Sequence, residues 1–100
     1  MTADELDQSA KRKNRPPEGL SEEVRSLWLA RAGRWDDAHD LCSDIPDPEG
    51  AWIHAHLHRE EGDLSNAGYW YKRARRSAPA QSVTLDQEWR ELATHFLAQR

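Results

Sequence analysis

The chain has 100 residues, 37% of them hydrophobic, and a net charge of −4, which suits one small domain. A mildly acidic balance argues against nucleic-acid binding, and the single cysteine excludes an internal disulfide. Without a long apolar segment or a signal-peptide pattern, we expect a cytoplasmic protein with no membrane association.

Residues 1–19 differ in composition from the rest of the chain. Their only sizeable apolar side chains are Met1 and Leu6, and the segment ends in two prolines and Gly19. Such a segment buries too little apolar surface to offset the entropy of ordering it. We therefore predict a disordered tail over residues 1–19 and a folded domain over residues 20–100.

Two helices are predicted in the first part of that domain. Ser21 is placed to cap the first helix, in which apolar residues recur at helical spacing until Gly33. The second begins near Trp35 and carries another apolar stripe up to Pro46, which ends it.

A third and a fourth helix follow. Asp47 is predicted to cap the third helix, with Pro48 in its first turn and Gly62 at its end. Asp63 is placed to cap the fourth helix, which we expect to continue until Pro79.

The fifth predicted helix begins at a capping box formed by Thr84 and Gln87. Trp89 and Phe96 lie along its apolar face. Sustained strand alternation is missing from the sequence. The predicted fold class is therefore all-α.

The chain also resembles itself at a shift of 29 residues. "GRWDDAHDLC" then falls on "GDLSNAGYWY", which aligns Gly33 with Gly62 and Ala38 with Ala67. Each unit reads as a helix, a glycine turn and a second helix. Since one hairpin cannot bury both of its faces, stacking of the two units is expected to build the core.

At these positions the second unit resembles a tetratricopeptide repeat. Its turn glycine, small residues, aromatic residue and closing proline have the spacings of that repeat: Gly62, Ala67, Tyr71, Ala74 and Pro79. The resemblance implies two antiparallel helix hairpins in a right-handed superhelix, closed by a C-terminal capping helix. It extends to short bacterial proteins of uncharacterised function with a similar tryptophan- and histidine-rich hairpin.

The resemblance implies a non-catalytic scaffold that binds a protein or peptide on its concave face. An exposed pair of aromatic side chains, Trp52 and Tyr69, beside histidines and an arginine would form a peptide-binding surface. The candidate contact residues are Arg25, Trp52, His54, His58 and Arg59. No cofactor is expected.

Two alternatives remain open. His54, His58 and Glu61 are spaced to point the same way from one helix, which suits a metal-binding protein or a metal-dependent enzyme. His56 aligns instead with an apolar position and is expected to be a core histidine bonded to a neighbour. The other alternative is a structural subunit whose apolar ends pair into a homodimer.

Overall fold

The computed structural model describes residues 1–99 and confirms the all-α class. Within that range the secondary structure consists of six helices joined by short connections. Their bounds are α1 Ala3–Arg12, α2 Glu22–Arg31, α3 Trp35–Ser43, α4 Glu49–Glu60, α5 Leu64–Arg73 and α6 Leu85–Leu97. Over the same residues, every helix is too short or too polar to cross a bilayer.

The two hairpin turns, α2–α3 and α4–α5, have the same backbone geometry. Gly33 and Gly62 have φ angles of 80° and 85°, a conformation that glycine adopts without a Cβ clash. In each turn, the amide that follows the glycine donates to a carbonyl five residues earlier: Arg34 to Leu29 and Asp63 to His58, each at 2.9 Å. Both predicted glycine stops are therefore confirmed.

The core lies between α2, α4 and α6, each of which packs against the other two. Trp28, Ile53, Leu57 and Leu92 are buried here, and Trp89 of α6 donates from Nε1 to a carbonyl of α2 at 2.9 Å. Helix α6 therefore covers α2 as well as α4.

The prediction of a disordered tail is wrong for residues 3–12, which form α1. Thr2 and Glu5 make a capping box at its start, and the side chain of Leu6 is fully buried against the core. The carboxylate of Asp7 lies 3.1 Å from Arg31 and 3.6 Å from Arg90. Leu6, Ala10 and the buried acid Asp7 thus fix this helix to the core.

Two predicted helix ends also need correction. Asp47 does not cap α4, because Pro48 occupies the cap position and the Asp47 carboxylate accepts instead from Arg73 at 2.9 Å. Helix α5 ends at Arg73, before the predicted stop at Pro79. By contrast, Ser21, Asp63 and the Thr84–Gln87 box cap their helices as predicted.

Candidate functional site

The predicted peptide-binding face is not exposed as expected. Trp52, His54 and His58 are only 5%, 6% and 7% exposed, since α4 is surrounded by the other helices. Arg59 is part-buried and bonded within the chain to Glu88. Only Arg25, on α2, is a freely exposed member of the predicted set.

The structure also changes the predicted metal set of His54, His58 and Glu61. Glu61 accepts from Nδ1 of His58 at 2.7 Å, but the residue that joins these two within ligand distance is Asp63 rather than His54. Glu61 is the C-cap residue of α4 and keeps an αR backbone, which leaves its carboxylate within reach of His58.

His54 belongs instead to a cluster of aromatic rings between α3, α4 and α5. His39 of α3 lies 4.8 Å from His54 and 5.2 Å from His58, centroid to centroid, and those two are 5.9 Å apart. Trp35 stacks on His39 and Trp70 on His54. Burial, followed by the neighbouring His39 and His58, lowers the pKa of His54 to about 4. The ring is therefore neutral at pH 7.

A second polar cluster is buried where α4, α5 and α6 meet. The Glu88 carboxylate accepts hydrogen bonds from His56 Nδ1 at 2.7 Å, from Arg59 at 3.1 Å and from the Tyr71 hydroxyl. Burial raises the pKa of Glu88, but the bonds from His56 and Tyr71 outweigh it and hold the pKa below its ordinary value. The expected core histidine at position 56 is confirmed. We name these four residues the Glu88 network.

Two effects raise the pKa of the Tyr71 hydroxyl. Burial is the larger, and the hydrogen bond to Glu88 is the second. The phenol thus keeps its proton and remains a donor at neutral pH. With three donors on one carboxylate, the cluster links three helices by charge-assisted hydrogen bonds. Its chemistry is that of a structural junction.

The third feature is open to solvent. Two clefts of about 400 and 450 Å³ share Trp52, Arg75 and Arg76, and we call them the arginine clefts. The Arg76 guanidinium lies 3.4 Å from the centroid of the Trp52 ring, close enough for a cation–π contact. His95 completes the first cleft, and Glu88 with Tyr71 borders the second.

Arg75 has an unusual backbone conformation in these clefts. Its φ angle is +59°, and among residues 1–99 it is the only non-glycine residue with a positive φ. It follows the cap of α5 as Gly33 and Gly62 follow the caps of α2 and α4. A side chain with a Cβ is disfavoured in this conformation, so the arginine is retained at a backbone cost.

The single thiol is not part of any of these features. Cys42 is fully buried, as its place on the predicted apolar stripe of α3 suggests. Burial, with a further effect from Asp40, raises the pKa of the Cys42 thiol to about 12. Because the thiolate is the reactive form, Cys42 is an inert packing residue.

Compared with protein-family models, curated proteins and solved structures, the chain matches none of them. Its function is therefore inferred from the geometry of these side chains.

The sequence analysis did not identify Glu88, and it neither brought His56, Arg59 and Tyr71 together nor placed Trp52 beside Arg75 and Arg76. An acid at position 88 on the apolar face of α6 was the available signal, because such a residue needs buried partners. Arg75 could not be singled out, since its role depends on α5 ending two residues earlier. His39 could not be placed beside His54 and His58 without the packing of α3 on α4.

Proposed function

We propose that this protein is a non-catalytic interaction module that binds an acidic segment of a partner protein in the arginine clefts. The helical scaffold supplies a rigid frame, and the two arginines that follow α5 supply the contacts. The single observation that carries the proposal is the pair Arg75 and Arg76, which is exposed beside a buried tryptophan.

The distribution of charge supports an anionic partner. Lys72, Arg73, Arg75 and Arg76 put four cations within five residues of a chain whose net charge is −4. Arg73 is paired with Asp47 at 2.5 Å, whereas Arg75 and Arg76 make no ion pair within residues 1–99. These two guanidinium groups thus remain available for bidentate bonds to carboxylates.

The shape of the clefts supports an extended peptide rather than a single ion. The two clefts meet at the shared residues Trp52, Arg75 and Arg76. Glu49 borders one cleft and Glu91 the other, so an acidic side chain is favoured only near the arginines. This restriction would set the register of the bound segment.

The proposal departs from the concave groove that the tetratricopeptide resemblance implies. Helix α6 packs on both α2 and α4, which leaves the arginine clefts as the better open surface. Of the residues expected from the sequence to contact a partner, Trp52 is the one that lines them.

A titration with a defined peptide tests the proposal. The probe is a short peptide of alternating aspartate and glutamate, compared with a peptide of equal length made of asparagine and glutamine. Calorimetry should detect the acidic peptide only, and the Arg75→Gln/Arg76→Gln double variant should bind it about tenfold or more weakly. That factor reflects the loss of at least one charge-assisted hydrogen bond.

The matched control is Arg12→Gln/Lys13→Gln, which removes the same charge from two exposed positions at the end of α1. It should leave peptide affinity almost unchanged. Equal losses in both double variants would mean general charge attraction and would defeat the proposal, as would binding of the neutral peptide.

A further inference from the structure

We propose that His39, His54 and His58 bind one divalent transition-metal ion of the zinc class. This site lies between α3, α4 and α5, separate from the arginine clefts. It goes beyond the proposed function, and its test does not depend on peptide binding. Imidazole nitrogens are preferred ligands of zinc, copper and nickel.

The spacing of the three rings matches what such an ion requires. Zinc–nitrogen bonds of about 2.0 Å put the ion about 3.2 Å from each ring centroid, so tetrahedral angles separate the centroids by about 5.2 Å. The observed separations are 4.8, 5.2 and 5.9 Å. The spacing of the three centroids therefore permits one ion between the rings.

The ligand nitrogens of the three rings do not converge on that point in this structure, and half-turns of His39 and His54 would redirect theirs while His58 keeps its bond to Glu61. A half-turn of an imidazole about its Cβ–Cγ bond exchanges nitrogen and carbon positions and leaves the ring plane in place. The contacts of His39 with Trp35 and of His54 with Trp70 survive this turn, since both are stacked within 15° of parallel. Torsion about this bond has broad minima.

The cluster has neighbours of the kind that usually orient metal-binding histidines by hydrogen bonds. The Glu61 carboxylate accepts from Nδ1 of His58 at 2.7 Å, which leaves Nε2 as the nitrogen that can bind an ion. Trp35, which stacks on His39, is itself fixed by a hydrogen bond of 2.9 Å from Nε1 to the Leu57 carbonyl. Glu61 therefore fixes the orientation of the His58 ring, and Trp35 fixes the plane of the His39 ring.

Solvent reaches the cluster on the side of His54. A cavity of about 320 Å³ is bordered by His54 and Trp70, with Asp44 and Asp47 at its edge. Asp47 is already paired with Arg73 there, so the attraction for a cation comes from Asp44. A site with an entry path and an acidic edge favours loading of a divalent ion.

A competing set is His58, Glu61 and Asp63, whose ligand atoms lie within 4.8 Å of one another. Its two acids are exposed, and Asp63 already accepts from the Asn66 amide as the cap of α5. Three imidazoles offer the stronger set for zinc, whereas this group contains only one. Both sets contain His58, so variants of the residues that they do not share tell the two sites apart.

The test uses the full chain without a histidine tag. Calorimetry with Zn²⁺ should show one ion per chain, and Co²⁺ should give the intense visible absorption of a four-coordinate complex. His39→Gln and His54→Gln should each weaken Zn²⁺ binding by about tenfold or more, because each removes a ligand. Asp63→Asn should have no such effect, and the matched control His95→Gln should bind as the wild type does.

Circular dichroism of each variant separates loss of a ligand from loss of the fold. If Zn²⁺ does not bind the folded wild type, the rings serve packing alone and the proposal is wrong. It is equally wrong if the His39→Gln variant binds like the wild type while Asp63→Asn loses the ion.

Discussion

Replacing Glu88 with glutamine is expected to be among the most damaging conservative changes in this protein. The substitution keeps the size of the side chain and removes its negative charge. His56, Arg59 and Tyr71 all donate to that carboxylate, and Glu88 is only 2% exposed. A glutamine amide offers one acceptor oxygen and directs its own donors at the remaining partners.

The expected loss of stability follows from the three hydrogen bonds to the Glu88 carboxylate. A hydrogen bond to a charged group contributes about 1.5–3 kcal/mol, and breaking a buried charged pair costs about 3–5 kcal/mol. Because one amide oxygen can still accept, we expect the free energy of unfolding to fall by about 3 kcal/mol, the lower end of that range. In a domain of this size the melting temperature should then fall by roughly 12–24 °C.

Urea unfolding followed by tryptophan fluorescence measures this loss. The matched control is Glu91→Gln, the same substitution at an exposed position of α6, which should change the free energy of unfolding by about 0.5 kcal/mol or less. A Glu88→Gln variant as stable as that control would refute the assignment of Glu88 as a buried carboxylate that joins three helices.

The pH dependence provides a second check with a defined sign. The pKa of Glu88 is lowered in the folded state, so the native protein binds fewer protons here than the unfolded chain. Its contribution is present above the ordinary glutamate pKa of about 4.3 and is lost as the pH falls through the lowered folded value. The stability gap between the wild type and Glu88→Gln should therefore close at acid pH, and a gap that widens there contradicts the reasoning.

Two further predictions concern α1 and the end of α5. Leu6→Ala should lower the free energy of unfolding by about 2–5 kcal/mol, whereas Leu64→Ala, at a position 68% exposed, should have little effect; equal effects in denaturant titrations would count against a docked α1. Arg75→Gly should raise the melting temperature slightly, because glycine relieves the positive φ at a gain of up to about 1 kcal/mol. Arg76→Gly is its control and should bring no increase; a fall in stability for Arg75→Gly would contradict the strain assigned to it.

Local signals in the sequence predicted the helices well. Ser21, Asp63 and Thr84 cap the helices assigned to them, and Gly33 and Gly62 end theirs. Each of these features depends on a few consecutive residues. Side-chain caps and positive φ angles are short-range properties that a single sequence contains in full.

The predictions that were wrong share a different cause. Leu6 appeared too isolated to order a helix, yet the neighbouring Asp7 lies against Arg31 and Arg90, which are distant in the chain. The sequence suggested that His54 and His58 are available to a partner, but α3 and α5 pack on α4 and both side chains are buried. Long-range partners decide the burial of such side chains, and no local pattern contains them.

The sequence by itself therefore determined that this chain is helical, where most of its helices begin, and where glycine turns reverse it. The tertiary structure alone decided that α6 covers both α2 and α4, that Glu88 gathers three donors, and that His39 lies beside two histidines of α4. The physical reason is that helix formation depends on near neighbours in the chain, whereas charge pairing and burial depend on which faces meet after packing.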